Sequence, residues 1–134
     1  MLYFAYGSNL NHHQMKFRCK GAKYLNNYAL KGYKLCFSHQ TDYSVFGHAN
    51  IIKSKKSKIK GAIWKINKEH EKELDVYEGV DYGYYQKEYF TYKGKKILVY
   101  IQKIYYFQKP SSKYLHTIIQ GYKDCLLDTE YLKK

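Results

Sequence analysis

Alternating apolar and polar positions run through most of this chain and predict its strands. Short apolar or period-two segments, bounded by glycine or polar residues, are typical of β-structure. Two such segments flank Gly94, and the second places Ile97, Val99 and Ile101 on one face, which indicates a β-hairpin. The predicted strands cover residues 2–6, 28–37, 46–52, 58–66, 84–92 and 96–106.

Capping residues and helical spacing predict three helices. The first covers residues 11–18, directly after a polar turn. The second begins after Asn67, a suitable N-cap with acidic residues in the turn that follows, and ends at Gly79. The third is capped by Ser111 or Ser112 and keeps its apolar residues at helical spacing.

This set of elements predicts an α+β fold with a small, mixed, mostly antiparallel sheet and flanking helices. The chain has 134 residues and shows no internal repeat, linker or low-complexity tract. We therefore predict a single domain over residues 1–134. Apolar residues make up 45% of the chain, with 18 Tyr and 6 Phe among its aromatic residues, which is enough for a folded core.

The formal net charge of +13 makes a nucleic-acid-binding surface the first alternative to consider. The densest basic run, residues 53–60, lies between two strand-like segments and is predicted to be a solvated hairpin connection. Arginine, which suits bidentate contacts with phosphates and bases, occurs once, as Arg18. We therefore favour a solvated basic surface without a specific nucleic-acid partner.

The cysteines and the apolar runs indicate a cytoplasmic protein. Cys19, Cys36 and Cys125 form an odd set without a pairing framework, which predicts free thiols in a reducing compartment. We recognise no export signal, and no run of 18 or more apolar residues predicts a membrane span. Cys36 with His39, and two adjacent histidines near the N-terminus, lack a second ligand pair, so no metal site is expected.

The turn after the first strand is the first candidate for chemistry. Gly7, Ser8 and Asn9 tolerate tight conformations and can present successive backbone N–H groups to an anion. Taken alone, these residues are more typical of an ordinary turn at a strand end than of an anion site. Ser8 is not predicted to be a nucleophile because the G-x-S-x-G elbow is missing.

The second candidate is Glu78, at the end of the second predicted helix and just before a tyrosine-rich segment. Most glutamates at such positions are solvated surface residues. The negative end of the helix dipole disfavours the charged carboxylate by only about 0.3 to 1 kcal/mol. A large increase in its pKa would therefore require burial against the tyrosines, and would suit Glu78 to acid/base work.

The two candidate segments resemble the γ-glutamylcyclotransferase family, which carries a Tyr-Gly-Ser-Asn turn near the N-terminus and a glutamate followed by glycine further on. The resemblance covers about residues 1–126, and five segments occur in the family's order: residues 2–10, 61–68, 74–80, 83–85 and 110–114. The fold it implies is a small, partly closed, β-barrel-like sheet with helices packed at its sides.

The resemblance also implies roles for particular residues. Glu78 matches the acid/base of the family, and the turn Gly7, Ser8, Asn9 and Leu10 would hold a carboxylate or an oxyanion through its backbone N–H groups. The tyrosines that match those lining the family's pocket are Tyr6, Tyr85, Tyr100 and Tyr114.

The reaction implied is the cyclisation of a γ-glutamyl group to 5-oxoproline with release of an amine or amino acid, without a cofactor. The substrate would be a small γ-glutamyl compound. A free γ-glutamyl amino acid, γ-glutamyl-ε-lysine and a γ-glutamyl-protected intermediate share the same glutamyl half and stay open as alternatives, as does the oligomeric state. The alternative from another class is a catalytically silent binding module that contacts nucleic acid through its lysines.

Overall fold

The computed structural model describes residues 1–133. Six strands form one mixed sheet in the order β4-β5-β1-β3-β2-β6, and the sheet curls into a half-barrel. The strands are β1 (Leu2–Ala5), β2 (Lys23–His39), β3 (His48–Lys65), β4 (Gln86–Tyr92), β5 (Lys95–Ile101) and β6 (Tyr106–Phe107). The helices are α1 (His12–Arg18), α2 (Lys68–Tyr77) and α3 (Ser112–Asp124).

The predicted fold class is confirmed. β1 runs parallel to β5, and the other strand pairs are antiparallel. The predicted hairpin is present as β4 and β5, although β5 ends at Ile101, short of the predicted residue 106. Tyr106 belongs to β6, a short strand that pairs with the end of β2.

The lysine-rich run is not a hairpin connection, contrary to the prediction. Residues 53–60 lie inside β3, which pairs with β2 on both sides of a register shift. Residues 54–57 stand opposite the single residue Gly32, between the pairs Lys31 with Lys58 and Tyr33 with Lys53. No side chain of residues 53–58 is buried. This part of the strand therefore lacks the alternation of apolar and polar residues from which a strand is predicted.

The core is formed by buried residues of the sheet together with Met15 of α1, Leu74 of α2 and Ile118 of α3. β1 is central, and its Tyr3, Phe4 and Ala5 are buried together with Leu98 and Val99 of β5. The first helix begins one residue later than predicted, at His12, with Asn11 as its cap. All three cysteines are free thiols, as predicted.

Capping side chains and a glycine determine where the other two helices begin or end. Asn67 caps α2 through a capping box in which the His70 ring accepts from the Asn67 backbone N–H. Ser111 caps α3. Gly79 follows α2 in the left-handed conformation, with φ of 61°, as expected for a residue that ends a helix. No helix within the described part of the chain is long and apolar enough to cross a membrane.

Candidate active site

A cavity of about 310 Å³ opens where the end of β1, the start of β3 and the end of α2 meet. It brings together the side chains or backbone of every site residue predicted from the sequence except Leu10. Those residues are Tyr6, Gly7, Ser8, Asn9, Glu78, Tyr85, Tyr100 and Tyr114. We refer to this space as the central cavity.

Glu78 is held in the central cavity by the end of α2. Its backbone N–H donates to Leu74, and the chain then turns through Gly79, against which the Tyr84 side chain packs. A Cβ on Gly79 would come within 2.4 Å of the Tyr84 ring. The position of Glu78 therefore depends on a glycine that both adopts a left-handed conformation and leaves room for an aromatic side chain.

The Glu78 carboxyl group has no hydrogen-bond or ion-pair partner among the described residues. Burial raises its pKa from 4.5 to about 7, and the Arg18 guanidinium opposes this increase. Burial is thus the main cause of the raised pKa. The part of Glu78 that is exposed faces the cavity. A carboxyl group with a pKa near neutrality and with unused lone pairs can both take up and return a proton.

The four predicted tyrosines form a wall whose hydroxyl groups are engaged by the protein. Tyr6 donates to the carbonyl of Tyr100, and Tyr85 donates to the carbonyl of Ala49. The Tyr114 hydroxyl accepts from the Ala49 N–H at 2.9 Å. Tyr100 donates to Asp75 Oδ1 at 2.7 Å, so its hydroxyl is engaged by α2. Burial raises the pKa of all four phenols, and the wall is therefore neutral.

The predicted turn forms a short 3-10 helix, Ser8–Leu10, and Leu10 plays no part in the cavity. Leu10 is fully buried in the core, and its N–H donates to the Gly7 carbonyl at 3.0 Å. The prediction that Leu10 offers an N–H to a ligand is therefore wrong, because closing the turn uses that group. The N–H groups of Ser8 and Asn9 come earlier in the turn, where a helix supplies no acceptor of its own.

Gly7 is required by close approach rather than by a positive φ. Its φ is −122°, which other residues adopt, but a Cβ would lie 2.7 Å from the Ala49 Cβ. The Asn9 amide donates to the Tyr3 hydroxyl at 2.9 Å, and its oxygen accepts from Gln14 and Arg18. The Asn9 side chain thus connects the turn to β1 and α1.

Several cavity residues were not found from the sequence. Arg18 reaches the cavity from the last turn of α1, and His39 and His48 reach it from facing ends of β2 and β3. Tyr3 and Gln102 also line it. Of these residues, only Arg18 stands out in the sequence, because it is the single arginine of a lysine-rich chain. No group of three or more histidine, cysteine or acidic side chains is placed to hold a metal ion within residues 1–133.

Comparison with known proteins identifies the family. The sequence model of the family described as "Gamma-glutamyl cyclotransferase, AIG2-like" matches residues 3–122. The γ-glutamylcyclotransferases of Homo sapiens and Bos taurus are 34% and 35% identical over 99% of this chain and 76% of theirs. A solved structure named "Gamma-glutamyl cyclotransferase" is 32% identical and superimposes with a TM-score of 0.85, over 99% of this chain and 84% of that one.

The half-barrel holds a tyrosine-walled cavity, and the Glu78 carboxyl group in it has no partner among the described residues. The chain belongs to the γ-glutamyl cyclotransferase, AIG2-like family.

Proposed function

We propose that this protein is a γ-glutamylcyclotransferase that converts a γ-glutamyl compound into 5-oxoproline and a free amine or amino acid. The observation that carries the proposal is the unpaired Glu78 carboxyl group, with a pKa of about 7, in the central cavity. Membership of the family and the identity of about a third with named γ-glutamylcyclotransferases support it. The reaction is an intramolecular acyl transfer, and we propose that it needs no cofactor.

Glu78 acts first as a base. The α-ammonium group of the substrate must lose a proton before its nitrogen can attack, and such a group is a much weaker acid than a carboxylic acid. Burial raises the pKa of Glu78 from 4.5 to about 7 and so brings it closer to the pKa of the ammonium group. Since each unit corresponds to about 1.36 kcal/mol, burial makes this proton transfer easier by roughly 3 kcal/mol.

The substrate amine then forms a bond to the γ-carbonyl carbon, and an oxyanion develops on the carbonyl oxygen. We propose that the backbone N–H groups of Ser8 and Asn9, at the start of the 3-10 turn, hold one negative group of the glutamyl half. Glu78 returns its proton to the leaving nitrogen, and the bond between that nitrogen and the carbonyl carbon breaks. The ring nitrogen still carries one extra proton, which passes through the ionised Glu78 to the released amine, so 5-oxoproline and an ammonium group leave. Glu78 ends the cycle as a carboxylate, and no protein nucleophile is needed.

The tyrosine wall excludes water from the ring-forming end of the cavity. Tyr6, Tyr85 and Tyr100 are each less than a tenth exposed and have their hydroxyl groups engaged by backbone or side-chain acceptors. Such a wall keeps its shape when the substrate binds and keeps the pKa of Glu78 high. We further propose that the protein acts as a single domain in the cytoplasm.

A mass-spectrometric assay of 5-oxoproline release tests this proposal. The panel contains γ-glutamyl-alanine, γ-glutamyl-ε-lysine and a γ-glutamyl amine, each with its N-acetylated form as a control whose blocked nitrogen cannot attack. We expect 5-oxoproline from at least one free compound and from none of the blocked ones. Absence of release from the whole panel would favour the silent binding module.

A further inference from the structure

Arg18 is a cation of unusual placement in this chain. The sequence holds 23 lysines and one arginine, and that arginine lines the central cavity. Among the described residues, no lysine lines this cavity. Lysine occupies all the remaining basic positions of the chain. Arginine occurs only where a planar guanidinium would face the substrate.

Two contacts fix the guanidinium of Arg18. Its Nη1 donates to Asn9 Oδ1 at 3.2 Å, and its central carbon lies 4.2 Å from the centre of the Tyr77 ring. A guanidinium has five N–H groups, so most of them are left for another partner. No carboxylate within the described chain lies at ion-pair distance from Arg18. The group is therefore oriented but not neutralised, which is the arrangement of an anion-binding residue.

The position of Arg18 indicates which part of the substrate it meets. The end of the cavity walled by Tyr6, Tyr85 and Tyr100 is buried and suits the ring that closes during the reaction. Tyr77, on which Arg18 stacks, is 43% exposed and directly precedes Glu78. The part of the substrate that is released after Glu78 protonates its nitrogen must leave on this solvent side.

We propose that Arg18 is a specificity residue that binds the carboxylate of the leaving group, next to the nitrogen that Glu78 protonates. The preferred substrates are then γ-glutamyl amino acids rather than γ-glutamyl amines. This inference rests on the proposed function, which assigns the glutamyl half to the turn and the tyrosine wall. Arginine rather than lysine is used because its planar fork can bind a carboxylate while stacked on Tyr77.

Two substrates that differ by one carboxylate test the inference. γ-Glutamyl-alanine and γ-glutamyl-ethylamide share the glutamyl half and the carbon chain of the leaving group. For Arg18→Met, we expect kcat/KM for γ-glutamyl-alanine to fall by about 10- to 100-fold relative to kcat/KM for the ethylamide. Arg18→Lys retains the charge without the fork and should fall between wild type and Arg18→Met. Lys16→Met, which removes an exposed cation from the same helix, is the matched control and should leave the ratio unchanged.

The ratio of the two substrates separates leaving-group binding from other roles of Arg18. Loss of Arg18 raises the pKa of Glu78 for both substrates, so this effect cancels in the ratio. An equal loss on both compounds would overturn the inference, because Arg18 would then act on the glutamyl half or on Glu78. A wild-type protein that does not prefer γ-glutamyl-alanine would overturn it as well.

Calorimetry keeps this test independent of turnover. The affinities of the two compounds are measured for Glu78→Gln and for the double variant that also carries Arg18→Met. We expect the alanine compound to bind more tightly than the ethylamide only when Arg18 is present. If neither compound is turned over by the wild type, the proposed function fails while this binding difference still decides the role of Arg18. Absence of the difference, or of any binding of γ-glutamyl-alanine, would overturn the inference.

Discussion

At the scale of single residues, a carboxylate in α2 and the carboxylate at its C-cap have opposite environments. Asp75 accepts from Lys87 Nζ at 3.0 Å and from the Tyr100 hydroxyl at 2.7 Å, so it is bound to β4 and β5. Glu78, three residues later, has no such partner and faces the central cavity. Asp75 thus stabilises the frame, while Glu78 is held in a state that disfavours its charge. A reactive group of this kind decreases the stability of the folded protein at neutral pH.

Replacing Glu78 by glutamine should therefore stabilise the protein in a pH-dependent way. The folded-state pKa of about 7 lies above the ordinary 4.5, so the stability that Glu78 provides is present at low pH and is lost as pH rises through 7. Glutamine does not ionise. We expect the free energy of unfolding of Glu78→Gln to exceed that of wild type by about 1 to 3 kcal/mol at pH 8, and the two to converge near pH 4.

Urea unfolding at pH 4, 6 and 8 measures this difference. Glu73→Gln, which removes an exposed carboxylate from the same helix, controls for the loss of one negative charge. A Glu78→Gln difference that stays constant across these pH values would show that Glu78 has no raised pKa in the folded protein.

At the scale of secondary-structure elements, the end of α2 positions the reactive group. The capping box of Asn67 and His70 fixes where the helix begins, and Gly79 fixes where it ends. Tyr84 packs against Gly79 and leads the chain into β4. Glu78 is thus held between a regular helix and a turn that only glycine fits without strain.

Gly79→Ala and Gly83→Ala form a matched pair that tests this role. Both glycines adopt positive φ, of 61° and 74°, so both substitutions strain the backbone by about 1 kcal/mol. A Cβ on Gly79 also meets the Tyr84 ring, whereas a Cβ on Gly83 has no neighbour within 4 Å. We expect Gly79→Ala to lose about 2 to 4 kcal/mol of stability and at least tenfold in kcat, and Gly83→Ala to lose about 1 kcal/mol with kcat nearly unchanged.

Thermal unfolding and the 5-oxoproline assay measure the two effects. Equal losses in both variants would mean that backbone strain alone matters and that Tyr84 does not help to place Glu78.

The helix ends could be predicted from sequence because their causes are local. Asn67, Gly79 and Ser111 act on groups within a few residues of themselves. The full length of β3 could not be predicted in this way. Lys53, Lys58 and Lys60 join the sheet through backbone pairing with β2, and no apolar alternation of side chains marks this part of the strand.

At the scale of the whole molecule, the sheet order assembles the central cavity from distant segments. β1 lies between β5 and β3, which brings the turn after β1 close to Ala49 and Tyr100. The motifs in the sequence located Glu78 and the turn, but Arg18 and His48 enter the cavity only through packing of α1 and the start of β3. Their roles could not be predicted, since the direction of a side chain depends on contacts far away in sequence.

The charge of +13 is also a property of the whole molecule, and we expect it to produce only weak, sequence-independent association with nucleic acid. Lys55, Lys56 and Lys58 are exposed on β3 and do not line the central cavity. Their joint replacement by glutamate should abolish that association, of micromolar Kd or weaker. 5-Oxoproline release should stay within about twofold of wild type, because the change lies outside the cavity.

Fluorescence anisotropy with labelled DNA and RNA of varied sequence measures this association near physiological salt. Submicromolar, sequence-selective binding that the triple variant loses, in a protein that releases no 5-oxoproline, would favour the binding module instead.

The pH dependence of 5-oxoproline release by wild type and Glu78→Gln tests the central claim most directly. Glu78 must be a carboxylate to accept the substrate's proton, so kcat/KM of the wild type should rise with pH through an ionisation near 7. Glu78→Gln should fold and should lose at least about a hundredfold in rate. If the variant keeps most of the wild-type rate, or the same ionisation near pH 7, Glu78 is not the acid/base of this protein.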